Sequence, residues 1–134
     1  MKRVIAIVLL ISVLTLSPRS TFVNCSPVLT KKNGMFFGEA TYYNTGLGAC
    51  GKYNSDTDIV VAINKAQWGS TTNTNSNKIC GKKITVNGPK GHVTVKVVDM
   101  CADCEYGSLD LSPSAFDKIA SRSAGRVRIS WKFS

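Results

Sequence analysis

Residues 97–120, VVDMCADCEYGSLDLSPSAFDKIA, constrain the fold more than any other part of the chain. An apolar strand runs straight into an aspartate (Asp99), a Cys-x-x-Cys pair (Cys101 and Cys104) and a turn that carries Tyr106. A second aspartate, Asp110, follows eleven positions after the first, between Leu109 and Leu111. Ser112-Pro113 then opens a helix, because serine suits the cap and proline the first helical position, where no amide donor is needed. Phe116, Ile119 and Ala120 recur at i, i+3 and i+4, which gives that helix one apolar face. The remaining sequence reads as strand scaffold able to carry this segment and to shape a groove around it.

Four scaffold strands are legible. Residues 35–43, MFFGEATYY, are rich in aromatics, and 58–64, DIVVAIN, form a short apolar run suited to a fully buried strand. Residues 82–87 and 92–98 alternate apolar and polar side chains around Asn87-Gly88-Pro89-Lys90-Gly91, which is hairpin-turn chemistry. In residues 125–133 Val127, Ile129, Trp131 and Phe133 alternate with Arg126, Arg128, Ser130 and Lys132, a fifth strand with one buried face and one basic face. Between them lie a glycine-rich turn at 44–51, a single helical turn at 65–69 and a polar loop at 70–77. Short strands, no repeats and no linker favour a small closed barrel, since closure removes exposed strand edges.

The first residues read as a secretory signal. A basic head (Lys2, Arg3) precedes an apolar run from Val4 to Leu16 that is short for a membrane span, and a polar stretch follows. We place the signal at residues 1–25, a flexible lead-in at 26–34 and one domain at 35–134, so the protein is expected outside the cell and off the membrane once the signal is removed. Loss of Lys2, Arg3 and Arg19 with the signal lowers the net charge from +9 to +6. A basic exported domain is drawn to anionic surfaces such as pectin-like polysaccharide, and export argues against nucleic acid. Four cysteines remain, which allow three pairings in an oxidising compartment. Cys50–Cys80, closing a long loop, with Cys101–Cys104 as a local clip, is favoured over a zinc site, and no metal or other cofactor is expected.

Asp99 and Asp110 are the candidate catalytic groups. Apolar neighbours would desolvate Asp110 and hold it protonated, while the nearby helix start would favour its carboxylate, and the sequence leaves the two effects opposed. Glycoside hydrolysis ordinarily needs two carboxylates across the scissile bond, and at the end of the first strand the chain offers Asn44 instead. Tyr42, Tyr43, Tyr53, Trp68 and Tyr106 are candidate stacking platforms for sugar rings, with core packing the competing role for Trp68 and one of the paired tyrosines. His92 is the lone histidine, too few for a histidine metal site or a Cys–His dyad.

Taken together, GEATYYN at 38–44, ACG at 49–51, the 97–120 segment and GRVRISWKF at 125–133 resemble the double-psi β-barrel of the rare lipoprotein A-like, barwin-like and expansin proteins, above all the fungal single-domain expansin-related loosenins. The resemblance covers about residues 35–134. It implies a mostly β fold, a six-stranded double-psi β-barrel with one or two short helices, and a polysaccharide groove across one face. The groove threonine and two aspartates of expansins match Thr41, Asp99 and Asp110, and Tyr43, Asn44, Trp68 and Tyr106 are assigned to substrate binding. Where expansins often carry an aromatic two residues past the first aspartate, this chain has Cys101, so Tyr106 is expected to take the stacking role. Asn44 replaces the base aspartate of family 45 endoglucanases, some of which are thought to use an asparagine there.

The resemblance thus implies a monomer that binds cell-wall polysaccharide (cellulose, chitin, pectin or peptidoglycan) and loosens it without net cleavage. A lone barrel without the β-sandwich of expansins is expected to bind weakly. Two alternatives belong to other classes: a weak glycoside hydrolase or lytic transglycosylase using Asp110 as its acid, and a secreted protease inhibitor or effector acting through surface loops such as 70–77.

Overall fold

The structure, a computed structural model, describes residues 31–70 and 77–134. The signal assigned to 1–25 and most of the loop at 70–77 lie outside the described residues. Six strands close into a barrel: β1 (Phe36–Tyr42), β2 (Val60–Asn64), β3 (Lys83–Gly88), β4 (Gly91–Cys101), β5 (Leu109–Leu111) and β6 (Val127–Phe133). Their order around the barrel is β1-β5-β2-β4-β3-β6. Two short helices, α1 (Lys65–Trp68) and α2 (Pro113–Ile119), and a 3-10 turn at Arg122–Ala124 complete the domain.

Local chemistry accounts for most of these elements. In β6, Ile129 and Trp131 point inward while Arg128 and Lys132 face water, the two-residue period of a half-buried strand. All five residues of β2 are buried, in keeping with its place between β4 and β5, paired parallel to the first and antiparallel to the second. Ser112 caps α2 by accepting the Ala115 amide at 3.3 Å, and Pro113 occupies the first turn. The helix seals the core with Phe116 and Ile119, both fully buried, alongside Trp131, Ile84, Leu109 and Leu111.

Two features depart from the sequence reading. The segment around Asp110 forms a strand of its own, β5, parallel to β1 and antiparallel to β2. Asp99 does not end β4, which continues to Cys101, and the pairing with β2 shifts register between Val61 and Ala62. That shift brings Ala62 opposite Asp99 on one side and Asp110 on the other. Because Thr41 is in turn the partner of Asp110, one row crosses four strands: Asp99, Ala62, Asp110, Thr41.

Candidate functional site

Asp110 sits in a cleft of about 400 Å³ whose lining includes Thr41, Glu39, Arg126, Asp103 and the Cys101–Cys104 bridge. The register of β1 on β5 puts Thr41 beside it, and the threonine hydroxyl donates to Oδ1 at 2.8 Å. Oδ2 makes no hydrogen bond among the described residues. Burial in the cleft raises the Asp110 pKa above the ordinary carboxylate value, outweighing the Thr41 hydrogen bond and the charge of Arg126, which lower it, while Asp99 adds a small upward push. Leu109 and Leu111 contribute less than the sequence implied, because they alternate with Asp110 and face the core. Desolvation therefore wins the contest the sequence left open, and the end of α2 is satisfied by Ser112 instead. The result is a half-buried acid held by one hydroxyl, suited to donating a proton or a hydrogen bond.

Asp99, two strands away in the same row, is engaged differently. Its Oδ1 accepts the backbone amides of Ala49 and Met100, each at 2.8 Å. The first ties the glycine-rich loop to β4, and the Cys50 amide adds a bond to the Val98 carbonyl at 3.1 Å. Gly48 makes this approach possible, since a Cβ there would overlap the Val98 carbonyl oxygen. Tyr43 feels both aspartates: burial first, then the charges of Asp99, Asp110 and Asp56, push its phenol well above the usual tyrosine range, so it stays a hydrogen-bond donor. Asn44 is exposed at the end of β1, where the Tyr43 amide donates to the Leu111 carbonyl.

Tyr106 is 43% exposed and rests edge-on against Phe36, ring centroids 6.1 Å apart. Its turn is fixed from below: Gly107 has φ +85°, its amide donates to Gln67 Oε1 at 3.0 Å, and its carbonyl accepts from the Trp131 indole at 2.7 Å. Trp68 requires a correction. It is only 4% exposed and belongs to the core cluster, because α1 starts directly at the buried end of β2 and turns the indole inward. Only a sliver of it reaches the hollow beside α1, so it is not an open stacking platform.

Two groups were not singled out from the sequence, one lining the cleft and one buried outside it. Arg126 pairs with Glu39 at 3.0 Å across the β1–β6 seam. Buried Asn64 bonds Gln67 and the Ser108 carbonyl and so braces the turn beneath Tyr106. An asparagine closing a wholly apolar strand was the available signal for the second; an outward arginine at a strand start gave none for the first. The structure pairs Cys50 with Cys80 and Cys101 with Cys104. Among the described residues no cluster of His, Cys, Asp and Glu could hold a metal ion, and no helix is long and apolar enough to cross a membrane.

The chain is a closed six-stranded barrel and belongs to the double-psi β-barrel family. Residues 36–131 match the model of the double-psi β-barrel family described as lytic transglycolase. Within that family the chain is similar to the papain inhibitor of Streptomyces mobaraensis, 38% identical over 100 residues that cover 72% of this chain and 69% of that protein. It is similar to expansin-YoaJ of Bacillus subtilis strain 168 to nearly the same degree, 37% over 101 residues, 71% of this chain and 41% of the expansin. A Clavibacter michiganensis expansin solved in complex with cellohexaose superposes with a TM-score of 0.64 at 31% identity, over 75% of this chain and 50% of that one. The chain thus spans half or less of the expansins it matches.

Proposed function

We propose that the protein is secreted and binds cell-wall polysaccharide in the Asp110 cleft, loosening contacts between chains without net hydrolysis. Asp110 hydrogen-bonds a glucan hydroxyl or glycosidic oxygen, donating in its protonated form, which burial favours. Thr41 orients it, Tyr43 supplies a second donor, and Tyr106 offers a ring face at the edge of the cleft. The observation that carries this reading is the asymmetry of the two aspartates. Hydrolysis by the usual route needs a second carboxylate, as base or nucleophile. Asp99 already holds two backbone amides on one oxygen, and the strand-end position is the neutral Asn44. The cellohexaose complex of the Clavibacter relative supports a saccharide as ligand.

The test is retention of the protein without residues 1–25, and of its Asp110→Asn variant, on cellulose, chitin, pectin and peptidoglycan, with supernatants assayed for reducing ends and anhydro-sugars. Retention on cellulose, chitin or peptidoglycan, lost in the variant and without released sugar, is the expected result. Sugar release that vanishes in the variant would replace loosening with catalysis by Asp110 as acid. A second reading, inhibition of a papain-like protease, is favoured by one observation: the alignment covers 69% of the papain inhibitor but only 41% of expansin-YoaJ. Titration of papain with the protein decides it, and inhibition undiminished in Asp110→Asn would separate that activity from the cleft.

A further inference from the structure

A second concavity shares no lining residue with the Asp110 cleft. Two adjoining hollows, about 580 and 240 Å³, meet at Asn54 and Lys96 to form a shallow trough beside β3 and β4. Lys83 and Lys96 are direct cross-strand partners, both exposed, and Lys52 lines the far hollow. Lys132, opposite Thr85 on β6, extends the same outer face by one row. Like charges placed opposite each other on a sheet destabilise it. Neither ion pair among the described residues involves a lysine. Asp58 is the one acid in the trough lining, and its Oδ2 is committed to the Ser55 amide at 2.9 Å and the Asn54 side chain at 3.2 Å. At one end stands Tyr53, 80% exposed yet held on a braced loop: it pairs with Leu47, the Asn54 amide bonds the Gly46 carbonyl, and the Cys50–Cys80 bridge anchors the base.

We propose that this trough is a second polysaccharide site, one for an acidic chain bearing sugar carboxylates, a polyuronate. The lysines supply point charges spread along the trough, which suits a polymer whose negative charges repeat along its length. Tyr53 supplies the apolar face on which a pyranose ring packs, at little ordering cost because its loop is already fixed. The inference goes beyond the reading of the Asp110 cleft and shares with it only the premise that the ligand is a saccharide.

The experiment is binding of the disulfide-intact protein to immobilised polygalacturonate at several salt concentrations. Lys83→Gln/Lys96→Gln should bind about tenfold more weakly with a shallower salt dependence, as expected for two lost exposed charge contacts. Tyr53→Ala should also weaken binding. Asp110→Asn, and Lys90→Gln/Lys118→Gln, which removes the same net charge elsewhere, should bind as wild type does. Loss of the Lys83–Lys96 repulsion should leave the double variant melting at or above the wild-type temperature, which guards against misfolding as the cause. Unchanged binding in Lys83→Gln/Lys96→Gln, or an equal loss in Lys90→Gln/Lys118→Gln, would overturn the proposal. So would competition by inorganic polyphosphate as effective as that by oligogalacturonate. Lysine-dependent polygalacturonate binding without retention on cellulose, chitin or peptidoglycan would defeat the cleft reading and leave this one standing.

Discussion

Asp99 and Asp110 occupy one row of the same barrel, two strands apart, and do different work. At Asp110 the surroundings are a half-buried cleft and one threonine hydroxyl, so burial favours the protonated acid where a ligand can reach it. At Asp99 the neighbours are backbone amides from a loop and from its own strand, so the carboxylate acts as a staple. Position on the sheet does not decide the role of an acid in this fold. What decides it is the segment that arrives above it.

If the Asp99 side is architecture, its disruption should show in stability. Opening the bridge that anchors the same loop, by Cys50→Ser/Cys80→Ser, removes a closure of 30 residues and should cost about 3 to 4 kcal/mol in chemical denaturation, the largest effect anticipated. Asp99→Ala strands two amides and should cost about 2 to 3 kcal/mol. Asp110→Asn, by contrast, should change stability by less than about 1 kcal/mol. An Asp99→Ala protein as stable as wild type would break the comparison, because Asp99 would then be free to act as a second functional carboxylate.

The pH dependence sharpens the contrast. The folded-state pKa of Asp110 lies above its ordinary, unfolded value. Below the ordinary carboxylate range both states bind the proton and nothing is lost. As pH rises from there through the raised value, the unfolded chain ionises first, and the contribution of Asp110 to stability is lost. The stability of the wild type relative to Asp110→Asn should therefore decline across that window, whatever the other carboxylates, such as Asp58 and Asp117 with their lowered pKa values, add to both proteins. Polysaccharide retention should fall across the same window, because the donor proton goes. A wild-type protein that gains stability through the window because of Asp110 would contradict the assignment.

Most of the barrel was legible because its signals are local. The alternation Val127, Ile129, Trp131 and the Ser112-Pro113 cap each lie within a few residues and survive into the structure unchanged. β5 was not, because three residues, Leu-Asp-Leu, show no period, and the strand exists only through pairing with β1 some 69 positions earlier. Asp110 was singled out by its flanking leucines, but the amides that claim Asp99 come from a loop 50 positions away and leave no mark near it. Arg126 looked like a solvent-facing residue because only barrel closure brings it to Glu39. Trp68 followed a strand, as a platform residue can, and only the immediate start of α1 at Asn64 turned it inward. Residues whose role is set by sequence neighbours were readable, and those set by register or loop return were not.

The smallest effect is also the most direct probe of how the Asp110 side is tuned. Thr41→Val keeps the shape of the side chain and removes its single hydrogen bond to Oδ1. That bond is partly exposed and should be worth about 1 kcal/mol or less in stability. Its effect on the proton should be clearer, because the hydroxyl donates to the carboxylate and so opposes the desolvation that raises the pKa. Without it, burial acts with less opposition and the pKa of Asp110 climbs further. The midpoint of polysaccharide retention against pH should then move to higher pH, even if Thr41→Val binds more weakly at every pH because its acid is less well oriented. A midpoint that moves down would mean that the threonine favours the protonated acid, and the division of labour between the two aspartates would need a different cause.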